Sequence, residues 1–298
     1  MKFIVVLLAL ATFSSADITP PDYAPNTAYG YLERYGIPAA ERIRKAEEEF
    51  LNNPARIIGG VPAGLGQYPY HAGLISDIIG TTSRGVCGAS LISNMRVLTA
   101  AHCWNDGRHQ AWKFTVVLGS TRLFSGGTRV ESSVVAMHGN WNPLFATNDI
   151  AVIYLPNAVA TSANVAPIAL PSGSQVNENF VDSLAVAVGF GVTSNDANIS
   201  ENNYLNHVRL RVISNNACSL VFPLVLRASH ICTSGIGGVG PCRGDSGGPL
   251  ALNINNTPVL IGVSSFISNV GCDGGLPAGF SRVTSFLAFI NQHNYVKL

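Results

Sequence analysis

The strongest restriction on this chain's fold and chemistry comes from a short run, Cys242 to Pro249, with the sequence CRGDSGGP. Its glycines predict a tight turn, because glycine has no Cβ and adopts positive φ without strain. Such a turn presents the Ser246 hydroxyl together with backbone N–H groups. Acyl transfer needs both, a nucleophile and donors for the developing oxyanion. The same turn alone is also compatible with a plain loop, so Ser246 needs partners elsewhere.

Two upstream stretches supply candidate partners for this serine. His102 stands beside Cys103 after the apolar run Ala89 to Leu98, and Asp149 precedes a second apolar run, where its carboxylate would be largely buried. Singly, such a histidine is more often a surface or core residue, and such an aspartate a turn residue. Together, in the order His, Asp, Ser, they predict a general base, its orienting carboxylate and a nucleophile.

With these three motifs the chain resembles chymotrypsin-type serine proteases of the trypsin-like family, over residues 57–298. The resemblance implies that Ser246 attacks the scissile carbonyl, that His102 transfers the proton and that Asp149 fixes the His102 tautomer. It implies an oxyanion hole formed by the N–H groups of Gly244 and Ser246. It also implies an all-β fold of two antiparallel six-stranded β-barrels, with the site in the cleft between them and a C-terminal α-helix.

The sequence pattern after residue 57 also predicts an all-β fold, because short runs of Val, Ile and Leu are separated by Gly, Asn, Ser and Pro. Barrel one is expected at about 57–160 and barrel two at about 175–283. Predicted strands include 97–98, 114–118, 150–155, 184–188, 207–212 and 259–263. A helix over about 284–294 is expected to be capped by Thr284 or Ser285. Its apolar face comprises Val283, Phe286, Leu287 and Ile290.

The start of the chain has the pattern of a secretory signal peptide, residues 1–16. Lys2 precedes the apolar run Phe3 to Ala11, and small residues stand before Asp17. A membrane-spanning helix is the alternative, but the run is too short to cross a bilayer. We therefore expect a secreted, extracellular protein, with the gut lumen as one candidate compartment.

Residues 17–56 differ in character and are interpreted as a propeptide. Ile43, Ala46 or Glu47, and Phe50 fall at helical spacing, so a short amphipathic helix is expected. The segment is either a spacer or a shield over the catalytic domain. It contains no cysteine, so no disulfide tethers it, and we expect it to leave once cut.

The junction that ends this segment resembles the family's activation site. The resemblance implies cleavage after Arg56 by a trypsin-like protease, after which the Ile57 ammonium pairs with Asp245. Burying a charge is costly unless it is paired. The new ion pair is therefore expected to act as a switch that orders the oxyanion hole.

Six cysteines fit an exported protein, and their spacing leaves fifteen pairings open. The family resemblance implies the pairs Cys87–Cys103, Cys218–Cys232 and Cys242–Cys272. Metal binding is the competing interpretation, but CxxC and HxxxH spacings are missing from the sequence. We expect neither a metal nor another cofactor.

The resemblance places the base of the S1 pocket at Gly240, six residues before Ser246. Trypsins carry an aspartate there, so a substrate Arg or Lys would lack a counter-charge. The pocket walls are assigned to Ile267 and Ala278, where trypsins and chymotrypsins usually carry glycine. Ile267 is expected to narrow the entrance, as in elastases, whereas Gly240 leaves the base open. We expect apolar P1 residues, with Phe, Tyr or Leu against Ala or Val left open.

The stretch Ser265-Phe266-Ile267 is expected to pair with the substrate backbone as an added strand, with Ser265 near Asp149. Protein or peptide substrates, an activating protease and protein inhibitors are the expected partners of a monomer. The formal net charge of +1 gives no reason to expect nucleic acid or membrane surfaces. From residue 57 onward arginine outnumbers lysine ten to two. This favours an alkaline environment, with compositional drift as the alternative.

Several functional alternatives stay open. The stretches 138–143 and 189–191 are similar to invertebrate chymotrypsins and crab-type collagenases, which raises collagen cleavage. A pseudoprotease acting as a binding module is disfavoured because His102, Asp149 and Ser246 are all present. Immune-cascade proteases typically carry cysteine-rich N-terminal domains and cut after basic residues. The sequence indicates neither feature here, so this alternative is disfavoured. We expect a digestive role. The use of two glycosylation sequons, at Asn198 and Asn255, stays open.

Overall fold

The computed structural model describes residues 26–52, 62–192 and 204–295. The predicted signal peptide, the junction between Arg56 and Ile57, and the Asn198 sequon lie outside these ranges. Among the described helices, none is long and apolar enough to cross a membrane. The strands form two antiparallel units, in agreement with the all-β prediction, and the segment before residue 53 packs against them.

The first unit is a seven-stranded sheet in the order β5-β4-β1-β2-β3-β7-β6. Its strands are β1 (His71–Ile78), β2 (Arg84–Ser93), β3 (Arg96–Thr99), β4 (Ala111–Leu118), β5 (Thr128–Ser132), β6 (Val135–Met137) and β7 (Ala151–Tyr154). A closed six-stranded barrel was predicted here. The difference arises at Ser133 and Val134, which separate β5 from β6. Because β5 pairs with β4 and β6 pairs with β7, one interrupted strand brings the two edges of the sheet together.

The second unit is the predicted six-stranded barrel, closed in the order β10-β13-β12-β11-β8-β9. Its strands are β8 (Leu184–Gly189), β9 (Asn206–Ile213), β10 (His230–Thr233), β11 (Pro249–Ile254), β12 (Thr257–Phe266) and β13 (Ala278–Arg282). Leu250, Ile261 and Phe280 are fully buried and fill its core. Asn255 and Asn256 both have positive φ and form an exposed two-residue hairpin between β11 and β12.

In the described ranges, three α-helices lie outside the sheets: α1 (Ile37–Asn52), α2 (Asn215–Ser219) and α3 (Leu287–Tyr295). A π-helical turn, Leu32–Gly36, leads into α1. The predicted apolar face of α1 is buried at Ile43, Ala46 and Glu47, while the Phe50 side chain lies outside the described part.

The C-terminal helix agrees with the prediction in its apolar face but not in its start. Val283, Phe286 and Ile290 are buried as predicted. The predicted cap at Thr284 or Ser285 is wrong. The chain already turns into a 3₁₀ helix at Val283, Arg282 occupies the capping position, and no side chain caps this end. Burying Val283 and Phe286 therefore sets the start of the helical region.

Candidate active site

His102 and Asp149 form a fully buried pair beside the cleft. His102 lies in a 3₁₀ turn, Ala101–Cys103, directly after β3, and Asp149 directly precedes β7. Because β3 and β7 are hydrogen-bonded neighbours, the two residues meet at the same end of the sheet. Nδ1 of His102 lies 2.7 Å from Oδ2 of Asp149, and the His102 backbone N–H donates to Oδ1 at 2.9 Å.

The second barrel completes the surroundings of Asp149. The Ser265 hydroxyl, on β12, donates to Asp149 Oδ2 at 2.6 Å. The Ser281 hydroxyl, on β13, donates to the Asp149 carbonyl oxygen at 2.7 Å. Since the carboxylate accepts from Nδ1–H, the His102 ring presents Nε2 as its acceptor. Both barrels therefore hold the histidine in one tautomer and one orientation.

Ser246 lies in the predicted glycine turn, immediately before β11. Gly244 and Gly247 have φ values of +103° and +80°, in the region that favours glycine. A Cβ on Gly247 would overlap Thr99 and the Gly88 carbonyl, so the turn also needs glycine for space. The Ser246 carbonyl accepts from Gly88 N–H of β2 at 2.7 Å. The nucleophile turn is thereby joined directly to the first sheet.

A residue of the N-terminal segment, Tyr31, contacts both His102 and Ser246. The Tyr31 side chain is 2% exposed, and its ring centroid lies 4.7 Å from that of His102 in an edge-on arrangement. Its hydroxyl donates to the Val86 carbonyl at 2.9 Å and is also hydrogen-bonded to the Ser246 side chain and the Gly244 N–H. His102 Nε2 is buried without a hydrogen-bond partner in the described structure. The catalytic hydrogen bond between Ser246 and His102 Nε2 is therefore not formed in this structure.

The environment of Tyr31 keeps its hydroxyl neutral. Burial raises the pKa of Tyr31 well above its usual range, and the negative charge of Asp245 adds to this. The hydrogen bonds from Ser246 and Gly244 oppose the rise in pKa but do not cancel it. A neutral hydroxyl is able to donate to the Val86 carbonyl while it accepts from the nucleophile turn.

Asp245 points into a cavity of about 260 Å³. Its carboxylate accepts from the N–H groups of Gly191 at 2.7 Å and Cys242 at 2.8 Å. Burial raises the pKa of Asp245 to about 6, against the lowering effect of these two donors. Among the described residues no cation pairs with it within 4 Å.

The predicted S1 residues divide between two cavities. Gly240 lines the cavity of Asp245. A second, smaller cavity beside Ser246 is lined by Ser265, Phe266 and Ile267, together with Tyr31 and other residues of the N-terminal segment. Ala278 is buried in the barrel-two core, against which Ile267 packs. Ile267 therefore lines the cavity beside Ser246, whereas Ala278 does not. Gly240 lies on the other side of the Cys242–Cys272 disulfide from the cavity beside Ser246. Cys242 lines the cavity beside Ser246, and Cys272 lines the cavity of Gly240 and Asp245.

Comparison with known proteins agrees with this geometry. The family model described as Trypsin matches residues 57–290. The chain belongs to the trypsin family. A collagenase of Hypoderma lineatum is 41% identical over 240 residues, covering 80% of this chain and 87% of that protein. Brachyurin of Leptuca pugilator is 36% identical over 237 residues, covering 78% and 96%. The solved structure of HL collagenase superposes with a TM-score of 0.73 at 38% identity, covering 81% of this chain and all of that one.

This trypsin-family serine protease carries three disulfides in the described residues: Cys87–Cys103, Cys218–Cys232 and Cys242–Cys272. These are the pairs that the resemblance implied. Cys87, His102 and Cys103 bring potential metal-ligand atoms within 4.8 Å of one another. The two sulfurs are bonded to each other, and His102 Nδ1 is engaged by Asp149. Neither sulfur is a thiolate, so this cluster is not a metal site.

Sequence reasoning identified the parts of the protease that lie within local motifs but missed Tyr31. Nothing in the sequence around Tyr31 relates it to Ser246, because the contact depends on how the N-terminal segment docks. Glu47 offered a clearer signal. A glutamate at a buried position of the α1 face indicates a buried acceptor, and its carboxylate does accept from Leu123, Phe124 and Ser125.

Proposed function

We propose that this trypsin-family protease is a secreted endopeptidase made as a zymogen, with residues 1–16 as signal peptide and 17–56 as propeptide. Its catalytic residues are His102, Asp149 and Ser246. The observation that carries the proposal is the fully buried His102–Asp149 pair, hydrogen-bonded from both barrels beside a glycine-lined serine turn. Similarity to collagenase and brachyurin over most of the chain supports it.

The proposed reaction proceeds through an acyl-enzyme. Ser246 Oγ forms a bond to the scissile carbonyl carbon as its proton passes to His102 Nε2. The N–H groups of Gly244 and Ser246 stabilise the oxyanion, at about 2.7–4 kcal/mol per donor in comparable enzymes. Nε2 then protonates the leaving amine, the C–N bond breaks, and water repeats the sequence to release the acid. Asp149 stays ionised and stabilises the imidazolium.

Activation follows cleavage after Arg56. The freed Ile57 ammonium is a suitable partner for Asp245, whose carboxylate lies in a cavity and has a pKa raised by burial to about 6. A cation there removes the cost of an unpaired buried carboxylate. Asp245 directly precedes Ser246, so the new ion pair acts on the nucleophile turn and on the Gly244 donor.

The P1 preference is apolar, with medium-sized side chains such as Leu or Met favoured. Gly240 offers no charge, and a Cβ there would meet only the Cys272 carbonyl oxygen, at 3.7 Å. Ile267, which packs against the barrel-two core that contains Ala278, is expected to narrow the entrance. A digestive or tissue-degrading role, in gut fluid or another extracellular space, is favoured because the segment before residue 57 contains no cysteine and no charge at Gly240 selects basic residues. The excess of arginine favours an alkaline optimum, which a rate maximum above pH 9 would support and one at pH 7 to 8 would contradict.

Collagen cleavage is the second candidate activity, because a relative named collagenase is 41% identical. Incubating the activated enzyme with native triple-helical collagen and with heat-denatured collagen separates the two cases. Cleavage of the native form below its melting temperature supports the collagenase. Cleavage of the denatured form alone indicates a general apolar endopeptidase.

Hydrolysis of a P1-varied peptide library by cut wild type, uncut wild type and cut Ser246→Ala tests the proposed function. We expect turnover after apolar residues in the cut wild type only. Cleavage after Arg or Lys contradicts the S1 assignment. No turnover by any protein with a verified Ile57 terminus favours the binding-module alternative.

A further inference from the structure

The N-terminal segment, residues 26–49, follows the cleft that a substrate would occupy. The Asn26 amide donates to the carbonyls of Pro143, at 3.2 Å, and Leu144, at 2.9 Å. The Ile267 N–H, on the stretch expected to pair with substrate, donates instead to Thr27 Oγ1 at 3.0 Å. The hydrogen-bonding position for a substrate strand is therefore already taken.

Ala28 and Tyr31 extend this occupation to the catalytic groups. Ala28 is fully buried against Ala146, Val225 and Phe266. Three residues later, the Tyr31 ring packs edge-on against His102, and its hydroxyl contacts Ser246 and the Gly244 N–H. The tyrosine thus occupies the space where the attacked carbonyl and its oxyanion would lie. Among the residues that the structure describes, His102 Nε2 has no hydrogen-bond partner.

The segment crosses the cleft without presenting a cleavable bond. Gly30 has a φ of +64°, and the chain from Tyr31 onward is helical, through the π-helical turn and into α1. A protease of this kind attacks an extended strand, in which the substrate backbone pairs with the enzyme. At Ser246 the segment places a tyrosine side chain, so it blocks the site and is not cut there.

A second set of contacts, located away from the cleft, also anchors the segment to the catalytic domain. Glu47 is buried, and its carboxylate accepts from Leu123 N–H at 2.6 Å, Phe124 N–H at 3.0 Å and the Ser125 hydroxyl at 3.0 Å. Ile43 is fully buried in the same region. Between the two sets, Leu32 N–H donates to Asp106 Oδ2 at 2.7 Å. All these contacts involve residues before position 53, so cutting the chain after Arg56 removes none of them.

We infer that residues 26–49 are a cleft-directed inhibitor of this protease, with Tyr31 as the blocking residue, and that they stay bound after the chain is cut. The inference rests on the proposed function. It changes the expectation that the segment leaves once cut: without a disulfide it is free to leave, yet its buried contacts oppose this. Full activity then requires a second event, either dissociation of the segment or its degradation.

The test uses the full-length protein with residues 53–56 replaced by Ile-Glu-Gly-Arg, so that factor Xa cuts before Ile57. Trypsin is unsuitable because the segment itself contains Arg34, Arg42, Arg44 and Lys45. After complete cutting, peptide hydrolysis is measured over a range of enzyme concentrations. Gel filtration then reports whether the N-terminal fragment elutes with the catalytic domain.

We expect the cut wild type to retain its fragment, to be poorly active at micromolar concentration and to gain specific activity on dilution. Truncating a buried aromatic anchor typically weakens binding about 30-fold or more. Cut Tyr31→Ala is therefore expected to release its fragment and to be at least about tenfold more active at the same concentration. Arg44→Ala is the matched control, because its pairing with Glu48 is exposed to solvent and should leave retention within about twofold.

Two further variants guard against misfolding of Tyr31→Ala. Tyr31→Phe keeps the ring and loses only the hydroxyl, and Glu47→Ala weakens docking without touching the cleft. In each of these variants, the specific activity should still depend on enzyme concentration more strongly than it does in Tyr31→Ala. Full activity of the cut wild type from the first time point, with the fragment eluting separately, overturns the inference while the protease function stands. If no cut variant hydrolyses peptide, the proposed function fails. In that case gel filtration still decides whether the segment stays docked. Co-elution of the fragment with the catalytic domain in wild type, but not in Tyr31→Ala, supports the inference. Separate elution of the wild-type fragment overturns it.

Discussion

The two nitrogens of His102 have opposite surroundings. At Nδ1 the site is complete: Asp149 is buried and hydrogen-bonded, and Ser265 and Ser281 support it from the other barrel. At Nε2 the catalytic contact is open, and Tyr31 lies against the ring. The orienting half of the machinery is thus already built in the uncut chain. Control falls on the half that meets substrate, where Tyr31 of the docked segment lies against His102.

Breaking the Nδ1 side should have the largest effect. Asp149→Asn retains the shape of the side chain but favours the wrong His102 tautomer. The equivalent substitution in a well-studied Ser-His-Asp protease of this family lowers kcat about 10⁴-fold, and we expect a loss of that order here. The measurement is kcat for an apolar P1 peptide with fully cut, fragment-free enzyme. A loss below about tenfold would show that Asp149 does not orient the base. Circular dichroism and gel filtration serve as folding controls.

The comparison also separates what sequence predicts from what it does not. His102, Asp149 and Ser246 each stand in a local motif next to an apolar strand, so their places in the fold follow from neighbours in the chain. In barrel two, the predicted strands 184–188, 207–212 and 259–263 lie within β8, β9 and β12, whereas β10, β11 and β13 were not identified from the sequence. The break between β5 and β6 at Ser133 and Val134 was not predicted, because neither strand was identified from the sequence. The Tyr31 contact was missed because docking joins two surfaces with no shared periodicity.

Breaking the Nε2 side should have the next largest effect. In the uncut protein, Tyr31→Ala frees Ser246 and allows its contact with His102, a general base contributing typically 10²–10⁴-fold. We expect the rate of Ser246 labelling by a fluorophosphonate to rise by about 10²-fold over uncut wild type. Uncut Ser246→Ala provides the blank. An unchanged labelling rate would mean that Tyr31 does not limit access to the nucleophile.

A buried histidine without a carboxylate sharpens the contrast with His102. His71 is buried edge-on against Phe190, with 5.3 Å between the ring centroids, and its Nε2 has no hydrogen-bond partner in the described part of the chain. Burial lowers the pKa of His71 from 6.5 to about 3. Between these values the unfolded chain binds a proton that the folded chain does not. The stabilisation is therefore present above pH 6.5 and is lost as the pH falls towards 3.

From pH 7 to pH 5 this group should remove about 2 kcal/mol from the free energy of unfolding. Asp245 acts with the opposite sign, because its pKa is raised to about 6. The measurement is therefore the difference between wild type and His71→Gln in urea unfolding of the uncut protein at pH 7, 6 and 5. We expect the stability of the variant relative to wild type to improve towards low pH. A pH-independent difference would mean that His71 does not take up a proton on unfolding.

The smallest expected effect concerns Ser265, which supports the Nδ1 side through Asp149. Ser265→Ala removes one hydrogen bond to a buried carboxylate, and such bonds contribute about 1.5–3 kcal/mol. Most of this stabilises ground and transition states alike, so we expect kcat to fall only about tenfold with KM unchanged. The loss leaves the Asp149 carboxylate with one hydrogen bond fewer to fix its orientation towards His102 Nδ1. Ser265→Thr, which retains the hydroxyl, should restore kcat. An unchanged kcat in Ser265→Ala would mean that Asp149 holds the histidine without help from the Ser265 hydroxyl of the second barrel.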